Sequence, residues 1–136
     1  MKAQISTEYL VMVGFALLLT IPTAIIFFTQ TSQNVDQVNF LQARQITRSI
    51  VDNSEKVFYL GKPSTTTIKV VMPRNIQYIT IANRNIVFGM LDSTGGVTDV
   101  VEASDVNITG TLLPSTGTRH IRIENIGDSV NISYSS

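Results

Sequence analysis

His120 is the single histidine of this chain, and no cysteine is present. An imidazole becomes a useful base when a nucleophile and an orienting group lie beside it. Counted at a period of two, His120 shares a strand face with Arg122 and Glu124, opposite Ile121 and Ile123, which is the setting of a solvated strand residue. Asp99, Glu102 and Asp105 offer hard oxygen donors, yet their spacing matches no EF-hand loop and reads as a solvated acidic stretch. A Gly-rich phosphate loop is missing from the sequence, as are thiolate nucleophiles and sulfur-ligated metals. The expectation is therefore a protein with no catalytic residue, no metal site and no cofactor. Two sequons, Asn107-Ile108-Thr109 and Asn131-Ile132-Ser133, could accept N-glycans on a cell exterior. Alternation sets Asn107 and Asn131 opposite Val106/Ile108 and Val130/Ile132, toward solvent. The carboxylate in the least ordinary setting is Glu8, which stands at the border of a long uncharged run with Lys2 as the only cation before it. A carboxylate there is costly unless it is paired.

The elements that hold these residues follow from charge and hydropathy. Ten Lys and Arg balance ten Asp and Glu, so a basic surface for nucleic acid is not expected. Charged residues make up 15% of the chain, against about 25% in ordinary globular domains. The deficit is concentrated between Tyr9 and Val35, where no charged residue occurs. From Tyr9 to Phe28 the chain is Leu, Ile, Val, Phe, Ala and Met, relieved only by Tyr9, Gly14, Thr20, Pro22 and Thr23. As a helix this stretch spans about 30 Å, the thickness of a bilayer hydrocarbon core. It is longer than the apolar core of a secretory signal peptide, and no small-residue cleavage site follows it.

Beyond Phe28 the sequence turns polar but keeps a helical period. At 100° per residue Val35, Val38, Ala43, Ile46, Ile50 and Val57 fall within an arc of about 140°; Phe40, Val51 and Phe58 form a second stripe. Arg44, Arg48, Asp52 and Glu55 share a third sector, so two apolar faces and one charged face are expected. Gly61-Lys62-Pro63 is a stop signal. The pattern predicts a nearly continuous helix from about residue 5 to residue 60, bent at Pro22.

From Thr65 the period switches to two. Ile68, Val70 and Met72 alternate with Thr67, Lys69 and Val71; Ile79 and Ile81 alternate with Tyr78 and Thr80. Turns are expected at Asn83-Arg84-Asn85, Ser93 to Gly96, Pro114 to Gly117 and Gly127-Asp128. About six or seven short strands favour a small antiparallel sandwich or barrel, packed in part on the helix. The fold class is thus α+β, divided into residues 1–3 as a leader, 4–61 as the helix and 62–136 as the β domain.

The opening Lys2-Ala3-Gln4-Ile5-Ser6-Thr7-Glu8-Tyr9-Leu10 resembles the class III signal of archaeal type IV pilins. There a basic and a small residue precede the cut, and Gln-x-Ser-x-Glu opens a long apolar helix. The resemblance implies processing at Lys2, Ala3 and Gln4, with Gln4 as the first mature residue. It extends in layout to the whole chain, since such pilins join this helix to a C-terminal β domain. Once cut, the new amine at Gln4 lies four residues from Glu8, so the two charges can neutralise each other within a chain or between adjacent chains.

What the resemblance implies is a structural subunit that waits in the cell membrane as a precursor and then polymerises into an extracellular helical filament for surface attachment or cell contact. Assembly would run through Glu8, Gln4, Tyr9, Leu10, Phe15, Leu18, Ile25 and Phe28. The implied partners are further copies of the chain, a prepilin peptidase, an assembly ATPase and a membrane platform protein. One alternative is an archaellin-like motility-filament subunit, although that family resembles a Gly-rich start. Another is a monomeric membrane-anchored binding module.

Overall fold

The computed structural model describes residues 2–136. Met1, the first residue of the expected leader, lies outside the described residues. One long helix, α1 (Lys2–Tyr59), precedes seven strands: β1 (Thr65–Met72), β2 (Ile76–Ala82), β3 (Asn85–Leu91), β4 (Val97–Ala103), β5 (Ile108–Gly110), β6 (Gly117–Asn125) and β7 (Val130–Tyr134). The fold is α+β. It divides into two compact units, one ending at Val35 and the other running Asp36–Ser136.

The helix starts at Lys2, a little earlier than the apolar pattern alone predicts, and Pro22 does not interrupt it. A proline in mid-helix removes one N–H from the ladder, here the donor to the Leu18 carbonyl, while the turns on either side keep theirs. The helix closes at Gly61, whose φ of 82° is the left-handed conformation that ends helices. Its N–H bonds the carbonyl of Phe58 at 3.1 Å.

Within the second unit, one core gathers the C-terminal part of α1 and both sheets. The two apolar stripes expected on this stretch of helix merge into a single buried face. Ala43, Ile46, Ile50 and Val57 occupy wheel positions of about 20–80°, and Phe40, Val51 and Phe58 about 140–160°. Between them, at about 100–120°, sit Thr47 and Ser54, both 0% exposed. Their hydroxyls bond back to the helix, Thr47 to the Ala43 and Arg44 carbonyls and Ser54 to the Ile50 carbonyl. That internal pairing lets two polar residues be buried at little cost. Val35 and Val38, expected on the first stripe, are 54% and 62% exposed; they precede Phe40, the first helix residue packed on the core.

The strands form a four-stranded sheet, β1-β6-β7-β5, and a three-stranded sheet, β2-β3-β4. Alternation is visible in the burial: Val70 and Met72 on β1, Ile121 and Ile123 on β6, and Val130 and Ile132 on β7 all face inward. The β domain is antiparallel except for the pairing of β5 with β7, which is parallel. The turn between β2 and β3 is tighter than expected: Asn83 and Arg84 alone make it, with φ of 52° and 64°, and Asn85 already belongs to β3. Two positive φ values fit a two-residue hairpin turn. Arg84, a rarer residue there, is anchored by its Nε bond to Asn107 Oδ1 (3.1 Å) and by Ser104 N–H on its carbonyl (2.7 Å).

Asn125 joins the end of β6 to the end of the helix. It is 5% exposed, and its Nδ2 donates to the carbonyls of Val57 and Phe58, each at 3.2 Å. Its Oδ1 accepts from the Gly127 N–H at 2.8 Å. Carbonyls in a last helical turn lack intrahelical donors, and Asn125 supplies one.

Candidate functional site

The first unit holds the residues expected to govern processing and assembly. Lys2, Ala3, Gln4 and Glu8 lie on exposed turns at the start of α1. One turn of helix separates Gln4 from Glu8, so both occupy the same side. Among the described residues the ion pair present joins Arg122 to Glu124, and Glu8 takes part in none.

Tyr9, Leu10, Phe15, Leu18, Ile25 and Phe28 are between 61% and 72% exposed. Leu10, Val11, Met12 and Val13 are consecutive and apolar, and at 100° per residue they cover every side of the helix. An 18-residue window of this segment has a mean hydropathy of 2.5 with 0% of it buried. By length and composition the segment can cross a membrane.

How the polar atoms in this stretch are handled was not foreseen from composition or hydropathy. Thr7, Thr20, Thr23, Thr29 and Thr31 each donate their hydroxyl to the carbonyl four residues earlier, on Ala3, Ala16, Leu19, Ile25 and Phe27, at 2.6–2.9 Å. These hydroxyls need no water, so an apolar surrounding does not leave them unpaired. The signal was the spacing itself, since a Thr inside a helix always has an i−4 carbonyl within reach.

The remaining candidates stay apart. His120 is exposed on the outer face of β6, opposite Lys69 of β1. Asp99 and Glu102 point to opposite faces of β4, because Glu102 shares the parity of buried Val100 and Asp99 does not. Among the described residues no group of His, Asp and Glu is arranged to hold a metal ion. Asn107 is exposed, its side-chain oxygen taken by Arg84, which leaves the Nδ2 that a glycan would use. Asn131 is half-buried on β7, between Glu124 of β6 and Thr109 of β5.

One surface feature was not foreseen. Tyr78 of β2 reaches across Gly89 of β3, its rung partner, and donates its hydroxyl to Asp99 of β4. A Cβ on Gly89 would stand 2.3 Å from the ring, so the glycine is what lets the ring lie across the sheet. The bond to Asp99 holds the Tyr78 phenol above its usual range. Comparison with protein families, with curated proteins and with solved structures finds no match to this chain.

Proposed function

We propose that this chain is a pilin, the structural subunit of an archaeal type IV pilus. The observation that carries the reading is the pairing of a Gln-x-Ser-x-Glu start, Gln4 to Glu8, with a helical segment that is apolar on all sides and 0% buried. A surface of that kind has to be covered. Each Leu, Ile or Phe removed from water contributes about 1.5–3 kcal/mol, whether lipid or another helix covers it. Since lipid and protein are equally apolar, leaving the bilayer brings no hydrophobic gain. Assembly is then decided by close packing, by charge pairing and by outside work.

In this reading a prepilin peptidase of the aspartic type cuts between Ala3 and Gln4. The Gln4 amine and Glu8 neutralise one another where apolar helices bundle; either charge alone would cost about 3–5 kcal/mol there. A cytoplasmic ATPase and a membrane platform protein supply the work. Outside the cell the β domains coat the filament and carry the contacts with surfaces or other cells, with Asn107 and Asn131 as glycan acceptors. The five back-bonded threonines support the reading, because they suit a helix that passes from lipid into a bundle without exposing an unpaired hydroxyl. Electron microscopy of filaments sheared from producing cells, with mass spectrometry of their subunit, tests it. Filaments built of this chain are expected; a chain found only as a monomer in the membrane fraction would favour an anchored binding module instead.

A further inference from the structure

The two sheets of the β domain turn different outer faces to solvent. On β1 and β6 the outward positions include Lys69, His120, Arg122 and Glu124, the polar face expected of an antiparallel sheet that meets water. The three-stranded sheet departs from that rule. Asp99 is the one charged strand residue on the outer side that Tyr78, Gly89 and Asp99 share, and Val87, Leu91, Val97 and Val101 lie on the same side. Val97 and Val101 are 51% and 54% exposed, and Tyr78 is 39% exposed. A contiguous apolar patch of this kind marks a surface that something covers. Asn107 stands at one end of the same sheet. Its Oδ1 accepts from Nε of Arg84 at 3.1 Å, and Arg84 belongs to the turn that joins β2 to β3. From that turn to Gly89, beneath the Tyr78 ring, is about 17 Å along β3.

We infer that a saccharide carried by Asn107 folds back over this face of its own chain and stacks on Tyr78. The inference rests on the proposed function, in which Asn107 is a glycan acceptor. In the attachment, made by an enzyme outside this chain, Nδ2 bonds the anomeric carbon of a saccharide activated as a phosphate ester. The sugar–phosphate bond breaks, its electron pair leaves with the phosphate, and one amide proton is released. Because Arg84 holds Oδ1, the first sugar leaves Asn107 in a fixed direction. A pyranose ring has a C–H face and a rim of hydroxyls, and the sheet offers a partner to each. The negative face of the Tyr78 ring and the valines beside it meet the C–H face. Asp99, which already accepts the Tyr78 hydroxyl, takes sugar hydroxyls as charge-assisted donors. An apolar partner would cover the valines as well, but it would bury the Asp99 carboxylate without donors, which is costly. Gly89 weakens the interior of a strand, and what it provides in exchange is a ring seated low enough to be stacked upon. The covered face then presents hydroxyls to water, so a domain that coats a filament does not expose its valines.

The test is tyrosine nitration of the full chain, purified in detergent from producing cells and read by peptide mass spectrometry, which also reports the glycan on Asn107. Thr109→Val removes the first sequon while Asn107 keeps its bond to Arg84; Ser133→Ala removes only the second sequon. Tyr78 should nitrate about fivefold faster in Thr109→Val than in the original chain, the ratio that a stacking contact of ordinary strength supplies. In Ser133→Ala its rate should be unchanged. Tyr59, 73% exposed, should react alike in all three. Enzymatic removal of the glycan from the folded original chain gives the same comparison if Thr109→Val does not fold. A bare Asn107 overturns the inference. Equal Tyr78 rates with and without the Asn107 glycan also overturn it: equally fast means that the face is open, equally slow that another chain covers it. These failures leave the pilin reading standing, since that is decided by the presence of filaments. Protection of Tyr78 by the glycan in a chain that never forms filaments supports the inference while the pilin reading fails.

Discussion

The side-chain amide of Asn125 donates to the carbonyl of Val57 at 3.2 Å, tying the end of β6 to the last turn of α1. Residues so far apart in the chain meet because β6 is a central strand and its end lies against the helix terminus. Replacing Asn125 by Ala leaves the buried Val57 carbonyl without its side-chain donor, while the Phe58 carbonyl keeps the Gly61 N–H and the exposed Gly127 N–H can turn to water. A loss of about 1–3 kcal/mol is expected, measured as a lowered denaturant midpoint. Asn125→Asp should be at least as harmful, because it removes the donor and sets a carboxylate against the negative end of a helix.

Gly110 and Gly89 should respond differently to the same change. At Gly110, with φ of 135°, an added Cβ would stand 2.0 Å from the Ile132 carbonyl oxygen, which is backbone. Gly110→Ala should cost about 3–5 kcal/mol, the high end of single-site effects. At Gly89 the obstacle is the Tyr78 ring, a side chain that can swing out. Gly89→Ala should cost about 1 kcal/mol and release Tyr78 from Asp99, bringing its phenol back toward the ordinary range in an absorbance titration. Equal losses at the two sites would refute the distinction.

The mature chain should begin at Gln4. N-terminal peptide mapping of assembled protein checks this, and recovery of Met1 or Lys2 as the dominant terminus would contradict it.

Glu8→Ala should abolish filaments while leaving the protein in the membrane. Near the interface the loss of a carboxylate beside an apolar run is neutral or favours insertion. In a bundle it strands the Gln4 amine at a cost of about 3–5 kcal/mol per subunit. The paired measurement is protein in the membrane fraction against filaments on the cell surface, and normal filaments would exclude the pairing role.

A fragment beginning near Gln30 should be soluble and rich in β structure with some helix. Its basis is the second compact unit, Asp36–Ser136, which has its own core. Circular dichroism and gel filtration check it; a disordered spectrum or persistent aggregation would show that the head needs the apolar segment.

The sequence alone determined the elements whose signal is local. An uncharged run of apolar residues from Tyr9 to Phe28, a period near 3.6 up to Val57 and a Gly-Lys-Pro stop leave little but one long helix. Alternation at Ile121/Ile123 and Val130/Ile132 assigns faces strand by strand. Tertiary structure decided what depends on residues distant in the chain. β1 lies beside β6, β5 runs parallel to β7, and the two helix stripes close over Thr47 and Ser54 into one face, because both sheets share a core with that stretch of α1. The wheel kept those stripes apart only because it counts hydroxyls as polar, whereas Thr47 and Ser54 spend theirs on their own helix. Likewise Tyr78 reads as a plain outward strand residue until the register sets Gly89 under its ring and Asp99 at its hydroxyl. Burial and pairing are properties of partners, and a single sequence names partners only where they lie within a turn or a hairpin.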